Sequence, residues 1–324
     1  MSGTSRKSRA AKPAQLSSSS TPQPPAEALP SPIAFIPPSS SSTAKQPIVV
    51  ISSVSKLPNL KPSEHTLLRK KQRQLSSTAS STLSSLPTAG HPNALLSTLI
   101  FAQHEAGTAV CINSSGWLLT CAHCFGEDEE EHRECEKRRW LLYYTGQAVL
   151  VECRAWDHRR DLALLKIIAI ETSTPVTPGS LPVFSFLEFS EVTPKYRLQM
   201  ICIGQPGGGD LEAEGNKKTK YNLIEISEGR FKGMVKGQDP QDNGEIGSLM
   251  HDCWTYWGHS GAPLVSVEDG SLVGLHSSWD DTTAMRHGVP GIAISEFLGE
   301  HLDQIGELGE EPSAGTSDNP IELA

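Results

Sequence analysis

Short apolar segments separated by Gly, Pro, Asn and Asp dominate the sequence from about residue 95 onward. Segments of this length match β-strands, and their spacing favours an all-β sandwich or barrel. Helical periodicity is confined to 295–305, which predicts one closing helix. The predicted strands lie at 99–101, 109–112, 117–119, 148–151, 162–168, 198–203, 222–226, 264–265, 272–275 and 291–294.

The first 90 residues differ in composition from the rest of the chain. They contain 11 Lys and Arg against two Asp and Glu, whereas residues 91–324 contain 17 against 35. They are rich in Ser and Pro and poor in aromatic residues, so they bury too little apolar surface to offset chain entropy. We therefore predict a disordered basic tail over 1–90, a folded domain over 95–306 and a disordered acidic end over 307–324.

Two patches stand out within the tail. The apolar run 48–51 is either a strand added to a sheet edge or an isolated apolar stretch. The basic run 67–73 is open to four interpretations: a helical turn, a nuclear-import signal, a nucleic-acid contact or a solvated charge run. The tail thus predicts a weak contact with nucleic acid or an import receptor.

The apolar runs and the cysteine count indicate the cellular compartment of the protein. No apolar run approaches the length of a membrane span, and no apolar signal-peptide core follows the first basic residues. Seven cysteines, an odd number, favour free thiols over a disulfide framework. We expect no membrane contact and a cytoplasmic or nuclear location.

A serine flanked by glycines, at 258–261, precedes a proline and an apolar run. Glycine permits backbone conformations that expose the serine Oγ and aim neighbouring N–H groups into one small space. Because an unassisted serine is a poor nucleophile at neutral pH, Ser260 needs a base and a carboxylate from elsewhere in the chain.

A histidine and an aspartate stand where those groups are needed. His123 follows a predicted strand end, where its ring can be oriented yet accessible, and its near-neutral pKa lets it take and return a proton. Asp161 opens a strongly apolar strand, where a half-buried carboxylate can accept the second imidazole N–H. Asp157 is a competing candidate. The order His123, Asp161, Ser260 is one known triad order, distinct from those of α/β-hydrolases and subtilisin.

Seven short motifs follow one another in a familiar order. They are GTAV (107–110), LLTCAH (118–123), DLALLKI (161–167), IGQPGG (203–208), GHSGAPL (258–264), VGLH (273–276) and GIAI (291–294). With these motifs, residues from about 97 to 300 resemble a trypsin-like serine protease domain of the HtrA/Deg-like branch. The resemblance implies two antiparallel six-stranded β-barrels with the catalytic residues in the cleft between them, and a short C-terminal helix.

The resemblance also implies a role for each site residue. Ser260 would be the nucleophile, His123 the general base and then acid, and Asp161 the group that orients His123. The backbone N–H groups of Gly258 and Ser260 would form the oxyanion hole. The implied activity is hydrolysis of peptide bonds in protein or peptide substrates through an acyl-enzyme, without a metal or a cofactor.

Three features depart from relatives of this family. His259 occupies a position where secreted digestive members place aspartate and HtrA-like members often place asparagine. No activation cleavage motif precedes the domain, and a PDZ module does not fit in the two dozen residues that follow it. We therefore expect neither activation by N-terminal cleavage nor PDZ-driven regulation.

The sequence leaves two questions open: which residue the substrate pocket prefers, and whether the chain binds a structural metal. His276 resembles a pocket histidine of glutamate-specific relatives, and Thr255 stands at a nearby wall position. An acidic residue or a small apolar residue is therefore expected at P1, the substrate position before the cleaved bond. A structural zinc is a rival interpretation of four ligand-type residues: Cys121, Cys124, His132 and Cys135.

Three functions remain open from the sequence. The first is a serine endopeptidase. The second is a catalytically silent peptide-binding or scaffold protein with the same fold. The third is a nucleic-acid-associated protein that acts through its basic tail.

Overall fold

The computed structural model describes residues 28–36, 48–87, 91–103, 106–190, 193–209 and 217–305. Ahead of the barrels, the chain forms short strands and two helices. They are β1 (Ile33–Ile36), β2 (Val49–Ser52), α1 (Pro62–Ser84) and α2 (Pro92–Leu96). No helix within these ranges, or later in the described chain, combines the length and apolarity needed to cross a bilayer.

Six strands close the first barrel. They are β3 (Thr98–Phe101), β4 (Thr108–Cys111), β5 (Trp117–Thr120), β6 (Arg138–Tyr143), β7 (Ala148–Asp157) and β8 (Leu162–Thr172). They pair antiparallel in the order β8-β5-β4-β3-β6-β7, and pairing of β7 with β8 closes the ring. A 3₁₀ turn (Ala122–Phe125) and α3 (Glu129–Glu134) connect β5 to β6.

A second barrel follows β9 (Leu181–Phe184), which pairs with β1. Its strands are β10 (Gln199–Gly204), β11 (Glu225–Met234), β12 (Leu249–His251), β13 (Pro263–Ser266), β14 (Leu272–Trp279) and β15 (Arg286–Pro290). They close in the order β10-β11-β12-β15-β14-β13. The helices α4 (Gly291–Glu300) and α5 (Leu302–Ile305) end the described chain. The predicted fold of two antiparallel six-stranded barrels with a C-terminal helix is confirmed.

One predicted strand is wrong. Residues 291–294 form the first turn of α4, and the neighbouring strand is β15. A four-residue apolar run does not distinguish a buried helix from a buried strand, because a run without polar residues shows the periodicity of neither.

The two barrels share part of their core. One apolar cluster contains Ile100 and Leu119 of the first barrel together with Ile201 and Leu275 of the second. All four side chains are fully buried. The cleft between the barrels is therefore walled by two packed bodies, which can hold site residues from both at fixed positions.

The prediction of a disordered segment over 1–90 does not hold for its described part. Strand β2 pairs parallel with β8 at the edge of the first barrel, and β1 pairs with β9. Helix α1 buries Leu68, Leu75 and Ala79 in the shared core. This helix is difficult to predict from the sequence. Its buried face is narrow and includes a lysine, so the pattern of apolar residues at helical spacing is weak. Residues 1–27, 37–47, 88–90 and 306–324 lie outside the described residues.

Two of the four basic residues in the run 67–73 contact the first barrel. The Arg69 guanidinium pairs with the buried Glu171 carboxylate at 2.5 Å, and Lys71 is buried, whereas Lys70 and Arg73 are exposed. This supports the helical interpretation of the run. Contact of the tail with nucleic acid or an import receptor stays a prediction, since most of its other basic residues are outside the described chain.

Candidate active site

Asp161 lies at the end of the turn that joins β7 to β8. Its N–H donates to His158 O (3.1 Å), and its φ of 53° is a left-handed conformation that aspartate tolerates better than most residues. The side chain is almost fully buried. The competing candidate, Asp157, instead pairs with the Arg160 guanidinium at 2.6 Å.

His123 lies in the 3₁₀ turn after β5, directly against Asp161. Its Nδ1 is 2.9 Å from Asp161 Oδ1 and 3.1 Å from Oδ2, and its backbone N–H donates to Oδ1 at 3.1 Å. Burial by itself lowers the pKa of His123, but the charge of Asp161 and its hydrogen bond outweigh that effect and raise the pKa above its ordinary value. The side chain stays 27% exposed, so the ring can exchange protons with a ligand.

A second partner of Asp161 was missed by sequence reasoning. The Ser277 hydroxyl, on β14 of the second barrel, donates to Asp161 Oδ2 at 2.6 Å. The carboxylate is thus bound from both barrels, and its orientation does not depend on His123 alone. The available signal was weak: Ser277 directly follows His276, two residues past the predicted strand 272–275, with nothing else to distinguish it from other serines.

Ser260 lies at the seam between the barrels. Its carbonyl accepts from Thr108 N–H of β4 (3.0 Å), and the next N–H, from Gly261, donates to His276 O of β14 (2.9 Å). Gly261 has a φ of +80°, and a Cβ there would lie 2.4 Å from Thr120 Oγ1, so only glycine fits against the strand that leads to His123.

The side-chain contact between Ser260 and His123 is the one triad contact that is not formed. Ser260 Oγ makes no hydrogen bond to the imidazole within the described chain, and Ser260 is partly exposed. Such bonds are often long or poorly aligned without substrate and tighten when it binds. The structure therefore brings His123 and Asp161 together, whereas Ser260 is linked to the second barrel through the backbone bond from Gly261 N–H to His276 O.

The residues before Ser260 form a tight turn. His259 N–H donates to Tyr256 O (3.0 Å), and Gly258, the third residue of this turn, has a φ of +98°, which defines a type II turn. Gly207 N–H donates to Trp257 O (2.5 Å). Because C=O and N–H of one trans peptide point in opposite directions, Gly258 N–H points away from Gly207.

The N–H groups of Gly258 and Ser260 are both unused. In the part of the chain that the structure describes, neither donates to a protein acceptor. Two unpaired backbone donors two residues apart on one tight turn are what an oxyanion requires.

His259, the departure from the family, is held inside this turn. Its ring is buried, Nδ1 lies 3.0 Å from Tyr256 O and 3.1 Å from Tyr256 N, and burial lowers its pKa to about 4. A Cβ on Gly204 would lie 2.5 Å from the ring, so glycine at that position makes room for the imidazole. The neutral ring fills the space behind the turn and does not displace Gly258.

The predicted pocket residues, His276 and Thr255, are both buried. His276 is buried and accepts a contact from a second buried histidine: His276 Nδ1 is 3.1 Å from His251 Nε2. Burial, and then the neighbouring His251, lower the pKa of His276 well below its ordinary value, so the ring is neutral. Thr255 is buried at the start of the turn that carries Ser260.

The four residues of the zinc alternative do not form a cluster. Cys135 Sγ donates to Phe125 O (3.0 Å), and His132 Nδ1 lies 2.9 Å from the same oxygen. The one group of metal-ligand atoms found among the described residues is Cys121, His123 and Asp161, which is the catalytic candidate itself. All seven cysteines are free thiols.

Comparison with known proteins gives the family. A model of the trypsin-like peptidase domain matches residues 107–275, more than half of the chain. Similar solved structures include an inactive serine-to-alanine mutant of Rv3671c from M. tuberculosis H37Rv (15% identity, TM-score 0.43, 63% of this chain and 85% of that one). Another is the HtrA-type protease AlgW with a decapeptide (16% identity, TM-score 0.41, 60% of this chain and 52% of that one).

This chain therefore spans about half the length of the AlgW structure. No curated protein sequence matches it significantly. The matched segment contains His123, Asp161 and Ser260, and both barrels are closed as the family requires. The chain belongs to the trypsin-like peptidase family.

Proposed function

We propose that this protein is a serine endopeptidase whose catalytic residues are Ser260, His123 and Asp161. The observation that carries the proposal is the contact of the buried Asp161 carboxylate with His123 Nδ1 at 2.9 Å, in a chain that also has a partly exposed serine in a glycine turn. A carboxylate in this position holds the tautomer in which Nε2 is free to accept a proton, and it stabilises the imidazolium that forms.

The chemistry follows from this arrangement. Ser260 Oγ attacks the carbonyl carbon of the substrate while His123 Nε2 takes its proton. The carbonyl oxygen becomes an oxyanion that accepts from the N–H groups of Gly258 and Ser260. The C–N bond then breaks, His123 gives the proton to the leaving amine, and an acyl-enzyme ester remains. Water attacks the ester, His123 takes its proton, and the proton returns to Ser260 Oγ as the acid product leaves.

Covalent labelling tests the proposal directly. A fluorophosphonate probe is expected to label the full-length protein at Ser260, as identified by mass spectrometry of the labelled peptide, and not to label Ser260→Ala. Ser266→Ala is the matched control and should label like the wild type, because Ser266 is buried in β13. A folded wild-type protein without label would instead favour the silent scaffold.

We further propose that the pocket prefers an acidic P1 residue over a small apolar one. His251 Nδ1 is buried without a partner in the described chain. An orphaned acceptor is tolerated better than an orphaned N–H, so His251 donates through Nε2 to His276 Nδ1. His276 then carries its proton on Nε2 and offers a donor. Arg286 lies directly opposite His251 in the antiparallel pairing of β12 with β15, so the two side chains are on the same face of the sheet. The Arg286 guanidinium adds positive charge near the histidines.

Substrates that differ only at P1 check this preference. Peptides with Glu at P1 are expected to show a higher kcat/KM than peptides with Ala, by about tenfold or more for one charge-assisted hydrogen bond. His276→Leu should abolish the difference while cleavage after Ala persists. Higher kcat/KM for Ala in the wild-type protein would show that the small apolar alternative is correct.

The free thiols bear on the compartment. All seven cysteines are unpaired and four of them are buried. Their number and state support our proposal that the protein works in a reducing compartment, the cytoplasm or the nucleus.

A further inference from the structure

A buried lysine lies on the inner face of α1, where the peptidase chemistry just described does not use it. Lys71 is 7% exposed, between Leu68 and Leu75 on the helix face that enters the core. Burial lowers the pKa of its amine to about 8. A buried amine is unfavourable unless its protons are hydrogen-bonded, so its partners indicate why it is there.

The partners of Lys71 belong to segments that flank the active site. Nζ donates to Phe101 O (2.8 Å), at the end of β3. The Gln205 carboxamide, oriented so that both its ends are satisfied, accepts from Nζ at 3.0 Å and donates to Gly107 O at 3.2 Å. The lysine thus joins α1 to Phe101 and, through Gln205, to Gly107 of the first barrel and to the segment after β10 of the second.

Both segments press on the oxyanion turn. A Cβ on Gly258 would lie 2.0 Å from the Ala106 side chain and 2.6 Å from Gln205 O, so Gly258 is packed directly between them. Two residues past Gln205, Gly207 N–H donates to Trp257 O. That bond sets the direction of the peptide whose N–H belongs to Gly258.

A weakened bond at Trp257 O has a specific consequence. Rotation of the Trp257–Gly258 peptide converts a type II turn into a type I turn, in which the carbonyl and the N–H exchange sides. The oxyanion hole would then lose the Gly258 donor while the rest of the fold is retained. The contacts that hold Gln205 and Gly207 in place therefore control one catalytic donor.

We propose that Lys71 is a positioning residue for the oxyanion hole: through Gln205 and Gly207 it holds the Trp257–Gly258 peptide with its N–H available to substrate. The proposal rests on the proposed peptidase function. It makes α1 part of the catalytic unit, although the helix precedes the first barrel strand and lies outside the segment that matches the peptidase family.

Kinetics on the full chain test this role. Lys71→Met, which keeps an unbranched side chain in the core, is expected to lower kcat by about 10- to 100-fold, less than outright loss of an oxyanion donor. KM should stay within about twofold, because the lost interaction forms only in the transition state. The matched control is Gln72→Met, on the same helix, which loses its bonds to Glu171 and Gly146. Its kcat per fluorophosphonate-titrated site should equal that of the wild type.

Hydrogen exchange gives a readout that does not need activity. In Lys71→Met, peptides that cover 204–209 should exchange faster, because Gly207 N–H loses its acceptor, Trp257 O. Gln72→Met should leave these peptides unchanged. Gln205→Leu breaks the same link from its other end and should match Lys71→Met in kcat and exchange. It also tests the link if Lys71→Met does not fold.

The outcomes separate the two proposals. Unchanged kcat per titrated site and unchanged exchange in both Lys71→Met and Gln205→Leu overturn the role of Lys71. A double variant that loses no more than the worse single variant supports one shared pathway. If the wild-type protein is neither labelled nor active, the peptidase function fails, and the exchange data still decide whether Lys71 holds the turn.

Discussion

Replacing His123 with alanine is expected to lower kcat by a factor on the order of 10⁶, as large a loss as removal of a whole triad. Without the imidazole, Ser260 loses the base proposed to take its proton, and the Asp161 carboxylate is too buried to substitute for it. The measurement is kcat on a peptide ester at saturating substrate. His301→Ala, whose ring contacts Phe297 at the end of α4, is the control and should keep wild-type kcat.

The pH profile of the wild-type protein is tied to the same residue. Catalysis needs neutral His123, so kcat/KM should fall as pH drops through the pKa of His123 in the free enzyme. Asp161 raises that pKa, so the midpoint of the acid limb should lie above the ordinary histidine value of about 6.5. A His123→Ala protein with near-wild-type kcat would exclude His123 as the base.

Asp161→Asn is expected to lower kcat by about 10⁴-fold while the geometry is retained. An amide in place of the carboxylate can donate to Nδ1, which moves the imidazole proton to Nε2 and leaves no base facing Ser260. The negative charge that raises the His123 pKa is also lost. Since burial alone lowers that pKa, the remaining activity should have its acid limb at lower pH than in the wild-type protein.

Asp157→Asn is the matched control for this substitution. Asp157 is the other carboxylate of the same hairpin, and it pairs with Arg160 instead of His123. Its replacement should change kcat by less than about threefold, the scale of a partly exposed ion pair. A larger loss from Asp157→Asn than from Asp161→Asn would contradict the assignment of the orienting carboxylate.

Much of the fold was predictable because strands leave local traces. Apolar segments of strand length, separated by turn residues, identified most strands of both barrels. The exceptions differ in kind. Strand β12 has only three residues and β15 contains Arg286, His287 and Gly288, so neither is an apolar segment, whereas β6 contains the apolar run 140–143 and nothing in its composition hides it. Residues 291–294 begin a helix directly after Pro290, although their composition suits a strand.

The N-terminal part was the largest error. Composition predicts disorder for a Ser-rich segment, since it counts apolar residues and not their partners. Helix α1 is stabilised by contacts that sequence does not display: the Glu171 carboxylate that binds Arg69, and the barrel surface that covers Leu68 and Leu75. Tertiary packing overrides local preference here.

The sequence by itself determined which chemical groups this site contains and the order in which the chain supplies them. His123, Asp161 and Ser260 are recognisable because each stands beside a local signal, a strand end or a glycine turn. The tertiary structure alone decided how those groups are held. Ser277 on Asp161, Gly207 on Trp257 O and Lys71 on Gln205 join residues far apart in the chain. Such bonds depend on distance and direction in space, and neither is encoded in the spacing of residues along the sequence.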